Sequence, residues 1–267
     1  MDAPDEPHPM PLRPLLWGLL LPPVWLSFSL APAALVQGSW PQHMVLALLG
    51  GFMGATALAL FLDRKMGPPG HGPLVAPPVW WWIAPAILAG LGTSILGSEA
   101  GNVMLTWSDS LAAAPEPLPV MPPKWQLALL WSLVNPVCIA LVLHGVTQRT
   151  LAGSYRPRTA MLGSIIAGAA VIPGPFLQWA AILALPVWLY RHTRSLALAL
   201  AAFLPSAQGY LLDLFGLGPG VPGFDVTRSD QVLFQPIWFD LLGAALLAVG
   251  VFPFLRAFHG PPEVDRP

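Results

Sequence analysis

Long apolar runs dominate this chain and fix the solvent it must fold in. Eight of them lie at roughly 14–36, 44–62, 79–97, 125–148, 159–175, 176–191, 195–215 and 232–255. A hydrocarbon core about 30 Å thick takes about 20 apolar residues of α-helix. Within it every backbone N–H and C=O has to be paired inside the segment, so each run reads as a helix. Charge is too scarce for any other surface: Asp, Glu, Lys and Arg make up 9% of 267 residues, against roughly 25% in soluble domains. A soluble enzyme, a nucleic-acid binder and a disordered chain are all excluded. The net charge of −1 implies no electrostatic partner, and the lone Cys138 gives neither an internal disulfide nor a cysteine metal site. The expectation is an all-α polytopic membrane protein of about eight transmembrane helices, forming a single integral membrane domain over 1–267. Its first run is long and follows an acidic, Pro-rich head (Asp2, Asp5, Glu6), unlike a cleaved signal peptide.

The fifth and sixth runs form one apolar stretch broken at Pro173-Gly174-Pro175, which reads as either a hairpin or a kinked helix. Charge decides between them. With the N-terminus in the cytoplasm and eight alternating spans, the cytoplasmic side holds Arg13, Arg64, Lys65, Arg149, Arg156, Arg158, Arg191, Arg194, Arg256 and Arg266. The opposite side holds only Lys124 and Arg228. This is the asymmetry of the positive-inside rule. Merging the two runs would put Arg191 and Arg194 on the wrong side. Eight helices with both termini cytoplasmic is therefore expected.

No internal repeat of the transporter kind stands out. The longest polar connection, about 98–124, is expected outside. Its first half reads as a short interfacial helix with Met104, Leu105, Trp107 and Leu111 toward lipid, and its second half as a Pro-rich strap.

Residues 135–153, NPVCIALVLHGVTQRTLAG, keep a recognisable frame: Pro136, Gly145 and a trailing V-T-Q-R-T-L. Residues 164–175 (SIIAGAAVIPGP) and 188–210 (WLYRHTRSLALALAAFLPSAQGY) follow it with compatible spacings, and 94–103 (SILGSEAGNV) precedes it. Together they resemble the CAAX prenyl-protease and bacteriocin-processing family of intramembrane proteases (CPBP or Abi), over about 79–215. The family's first motif runs P-x-x-E-E-x-x-F-R-G. Here Ile139 and Ala140 stand at the two glutamates, Leu143 at the aromatic residue and His144 at the arginine. Ile172 stands at the family's histidine before the proline. Phe203 and Ala207 stand at the later histidine and asparagine.

The resemblance implies a CPBP-like helical core in a bacterial cytoplasmic (inner) membrane. In the family a glutamate activates water for peptide cleavage, with His and Asn orienting the water or holding the oxyanion. Such chemistry needs a proton acceptor and donors aimed at developing negative charge. Ile139, Ala140, Phe203 and Ala207 supply neither. The resemblance thus implies a pseudoenzyme: a catalytically inert scaffold, binding or regulatory subunit for another membrane protein, using the family's substrate cleft and no cofactor. Two other classes stay open. One is an endopeptidase with a relocated catalytic set drawn from Asp240, Glu99 or His144. The other is a transporter, which would require paired intramembrane charges or a clear repeat.

Polar residues within the runs are the binding candidates, because burying them in lipid costs about 2.5–3.5 kcal/mol for a charge. Asp240, about eight residues into the last run, is the deepest carboxylate, with interhelical packing as its simpler role. Asp213 falls late in the seventh run, near the outer interface. Asn135 and Gln178 are expected to cluster beside Pro136, with Asn135 satisfying carbonyls that the proline frees. His144 is expected at the inner interface, and His192 in a basic anchor. The six histidines are scattered and no metal-ligand spacing occurs. Trp80-Trp81-Trp82 reads as an interfacial belt, and Gly50-Gly51, Gly54, Gly163 and Gly168 as sites of close helix contact within the fold.

Overall fold

The computed structural model describes residues 12–35, 41–66, 80–107, 123–172, 174–216, 220–224 and 232–259. Among them every regular element is helical: α1 Leu12–Leu35, α2 Pro41–Met66, α3 Ile83–Leu105 behind a 3-10 turn at Trp80–Trp82, and α4 Lys124–Ser154. There follow α5 Pro157–Val171, α6 Phe176–Thr193, α7 Leu196–Phe203 with a 3-10 turn at Leu204–Ala207, α8 Gly209–Leu214 and α9 Ile237–His259. Five helices are long and apolar enough to cross a membrane: α1, α2, α3, α4 and α9. Their outward faces carry Leu20, Phe28, Leu46, Met53, Leu133 and Phe252, all exposed. Apolar cover on this scale suits a lipid bilayer and would aggregate in water. The helix α5, with 15 residues, measures only ~22 Å at about 1.5 Å per residue.

Lipid tails are as apolar as leucine, so the bundle is held by close packing. One buried cluster joins Trp25 of α1, Phe52 of α2, Ile139 and Leu143 of α4, Leu183 of α6 and Phe203 of α7. A second joins Ala86 and Ala89 of α3, Leu185 and Leu189 of α6, Leu198 of α7 and Phe254 of α9. Helices α6 and α7 contribute to both and tie the two halves together. The α3–α9 contact is backbone on backbone: Gly92 lies against Gly243 and Leu247, and Gly250 against Ala89. A Cβ at Gly92 would collide with that partner helix.

The break between α5 and α6 is a turn, not a kink. Ile172 and Pro175 are extended, and Gly174 takes φ +128, a conformation open to glycine. Helix α5 packs back on α4, with Gly168 seated between Leu143 and Leu183. Helix α4 is longer than the expected 125–148 and carries two stretches of wide, π-type hydrogen bonding, at Leu130–Val134 and Leu141–Gln148. The first stands directly before Pro136, which lacks an N–H and cannot continue an ordinary ladder.

Three expectations are corrected. Residues 98–105 continue α3 instead of forming a separate interfacial helix, and Leu105 is buried rather than lipid-facing. Leu111 and the Pro-rich strap lie outside the described residues. Helix α9 starts only at Ile237, after an extended segment Val232–Pro236. Gly51 meets the backbone of Ser29, whereas Gly50 and Gly54 have no atoms within 4 Å where a Cβ would stand. Those two glycines point away from the fold.

Candidate functional site

The positions that match the family's catalytic frame sit in apolar surroundings. Ile139 and Phe203 belong to the first core cluster, and Ile172 packs against it. Ala140 is fully buried, while Ala207 is half-buried in the turn after α7. A narrow crevice opens between α1, α4 and α5, lined by Pro22, Trp25, Ile139, Val142, Leu143, Gly168, Val171 and Ile172. None of these side chains holds a carboxylate or imidazole. The crevice is small, about 20 Å³, and offers no group that moves a proton.

His144 is not at an interface. It is 0% exposed, because α4 continues to Ser154 and leaves the ring several residues from the helix end. Its Nδ1 meets Gln148 Oε1 at 3.0 Å, and Gln148 Nε2 donates to the carbonyl of Val187 on α6 at 2.6 Å. The ring lies 5.9 Å from that of Tyr190. Nearby, Arg149 forms an ion pair with Asp63 at the end of α2, whose side chain is only 1% exposed. Tyr190 lies close enough to feel the charges of Arg149, Arg194 and Asp63. The ends of α2, α4 and α6 thus gather at one basic end of the bundle. His192 stacks there on Phe258 at 4.9 Å, beside Trp188. Of the three tryptophans before α3, Trp80 and Trp81 are exposed, whereas Trp82 packs edge-on against Phe254 and Phe258.

A second polar group stands where α3 meets two segments that precede α9. Ser98 Oγ donates to Phe224 O at 2.7 Å, and Asn102 Nδ2 donates to Gly223 O at 2.8 Å and to Glu99 Oε2 at 2.9 Å. Glu99 Oε2 also accepts the Gln235 backbone N–H at 3.0 Å, and Gln235 Nε2 donates to Ile95 O at 3.1 Å. One face of α3 therefore straps both chain segments down. Asp240, expected deep in a span, lies in the first turn of α9 and within electrostatic reach of Glu99. The late helix start, set by the extended residues before Pro236, accounts for this shallower position.

Asn135 and Gln178 are not joined. Gln178 lies against Gly101 of α3, and no hydrogen bond links it to Asn135. The carbonyl that Pro136 orphans, Ser132 O, is taken instead by Gln208 Nε2 at 3.2 Å, which also bonds Leu204 O at 2.9 Å. Gln208 has no counterpart among the sequence candidates; its only signal is a polar residue four places after a proline-containing turn's start. Asp213 falls within α8, and its side chain lies outside the described residues. Among the described residues no three His, Cys, Asp or Glu side chains come together in a way that would hold a metal.

No family model matches the chain, and no curated protein or solved structure matches it either.

Proposed function

We propose that this protein is a catalytically inert, CPBP-like scaffold or regulatory subunit of a bacterial inner membrane. It spans the bilayer eight times with both termini cytoplasmic and seats an apolar segment of another membrane protein in the crevice beside α4. One observation carries the reading. Ile139 and Ile172, which stand at the glutamate and histidine of the family frame, line the same crevice between α1, α4 and α5. A crevice with isoleucine at both positions offers an apolar contact surface and no base.

Eight spans are favoured over five because α5, α6 and α7 contribute Ala169, Leu183 and Phe203 to the main core, while α5 turns Leu162 and Ile166 outward as a lipid-facing helix would. Counting them also returns Arg256, at the end of α9, to the side of Arg149, Arg191 and Arg194, as the positive-inside rule asks. A relocated active site is disfavoured by geometry. Glu99 and Asp240 stand beside the strap on α3, while His144 faces Tyr190 at the basic end. Two carboxylates and an imidazole so separated cannot act on one bond.

The test is site-specific photo-crosslinking in the native membrane, followed by mild-detergent purification and mass spectrometry. A photoreactive residue at Ile172 is expected to capture one stoichiometric transmembrane protein, and the same residue at the exposed Leu241 to capture only lipid. Lipid alone at both positions overturns the reading.

A further inference from the structure

Helix α6 ends on a residue poorly suited to its backbone. Arg194 caps the helix in the left-handed conformation, φ 53, and donates its N–H to the Tyr190 carbonyl at 2.8 Å. Among the described residues the other positive φ values all belong to glycines. A Cβ is crowded in that conformation, so such caps are usually glycine, with asparagine next. The cap explains the backbone and leaves the arginine side chain unexplained. Nor does the helix dipole require it, since Arg191 and His192 already supply basic side chains in the last turn.

The charge around Arg194 is unbalanced. Its side chain is exposed, and its charge reaches Tyr190, which also feels Arg149 and Asp63. Asp63 is committed to Arg149 in the ion pair between α2 and α4. Arg64 and Lys65, next to Asp63 on α2, are exposed as well. Among the described residues no other carboxylate stands at this end. Glu99 and Asp240 meet where α3 finishes and α9 begins, and α8, which carries Asp213, packs on the start of α4.

This end also borders apolar surface. Phe61, one turn before Lys65, is exposed, and so are Trp80 and Trp81. Those tryptophans adjoin Trp82, which packs on Phe258 beside the stacked His192. A soluble anion would match the cations alone. A phospholipid matches both features, because a guanidinium fork fits a phosphodiester and the acyl chains cover apolar side chains.

We propose that Arg194 anchors the phosphate of one anionic phospholipid at the end of the bundle where α2, α4 and α6 meet. The headgroup supplies the negative charge that Asp63, held by Arg149, does not, and Arg64 and Lys65 add to its attraction. The inference is independent of the scaffold reading, since none of the crevice residues takes part.

Thermal unfolding of the purified protein in an uncharged detergent tests it, with phosphatidylglycerol, phosphatidylcholine or inorganic phosphate added. Phosphatidylglycerol should raise the unfolding midpoint, and the other two should not. Arg194→Gly should unfold no earlier than the unaltered protein without lipid, because glycine fits the cap, and yet lose most of the phosphatidylglycerol shift. If the glycine variant does not purify, Arg194→Asn gives the same comparison. Arg158→Gln, which removes an exposed charge at the start of α5, should keep the shift. The proposal is overturned if phosphatidylglycerol does not protect, or if phosphatidylcholine or phosphate protects equally. It is also overturned if the Arg194 variant keeps the shift, or if Arg158→Gln loses as much of it.

Discussion

Gln208 makes the bond that Pro136 leaves open, and this pairing sets the first prediction. Gln208→Leu strands the buried Ser132 carbonyl and should cost about 1–3 kcal/mol. In a Pro136→Ala background the helix can satisfy that carbonyl itself, so the same change should cost much less. Thermal unfolding of the four proteins in detergent, treated as a double-mutant cycle, reads the coupling. The deficit at Pro136 is legible in the sequence, because proline has no N–H. Its remedy is not, because the donor lies 76 residues away from the carbonyl. The depth of His144 is hidden for a related reason: hydropathy ends the span near residue 148, whereas the helix continues to Ser154 and leaves the ring buried. The Asp63–Arg149 pair gives the second prediction. Removing one partner, as in Asp63→Asn, takes the carboxylate away from the partly buried Arg149 guanidinium and should destabilise by about 1.5–3 kcal/mol. Replacing both by Asn and Gln should cost less, and chemical denaturation in mixed micelles checks the difference.

At the scale of elements, local punctuation was readable and contacts between segments were not. Pro173-Gly174-Pro175 announces the α5–α6 turn, because prolines end helices and Gly174 accepts φ +128. Hydropathy starts α9 too early because Val232, Leu233 and Phe234 are as apolar as the helix they precede. The strapping of Gln235 to Ile95 and Glu99 ties that segment to α3 ahead of the helix. The strap also depends on Gly223, whose φ is +76 and whose absent Cβ leaves room for the backbone of Leu233 to Gln235. Gly223→Ala should therefore free the strap: the Gln235 amide should exchange with deuterium much faster while amides in the middle of α6 stay protected. Unchanged protection at Gln235 would show that the strap is held by other means. The candidate polar residues Asn135 and Gln178 are near one another only in the family frame. In the fold Gln178 serves the α3–α6 contact, seated against Gly101.

For the whole molecule, the class was plain from the sequence, since an apolar chain with 9% charge can expose only lipid-facing surface. The ends of α2, α4 and α6 meeting around Asp63, Arg149, Tyr190 and Arg194 give the charge asymmetry a structural counterpart. Single cysteines at Arg158 and Arg194 should accordingly label from the cytoplasm and one at Asp225 from outside. Native Cys138 is buried and should stay silent. Labelling of Arg194 from outside would break the eight-span arrangement. The central claim, a crevice with apolar residues where a base would act, meets its most direct test in peptide turnover. Purified protein in liposomes would be given a quenched-fluorescent transmembrane peptide. The account predicts no cleavage above protein-free liposomes, and none after Ile139→Glu with Ala140→Glu, since Phe203 and Ala207 still offer no donor. Cleavage by the unaltered protein that disappears in Asp240→Asn would contradict it and place an active site on α9.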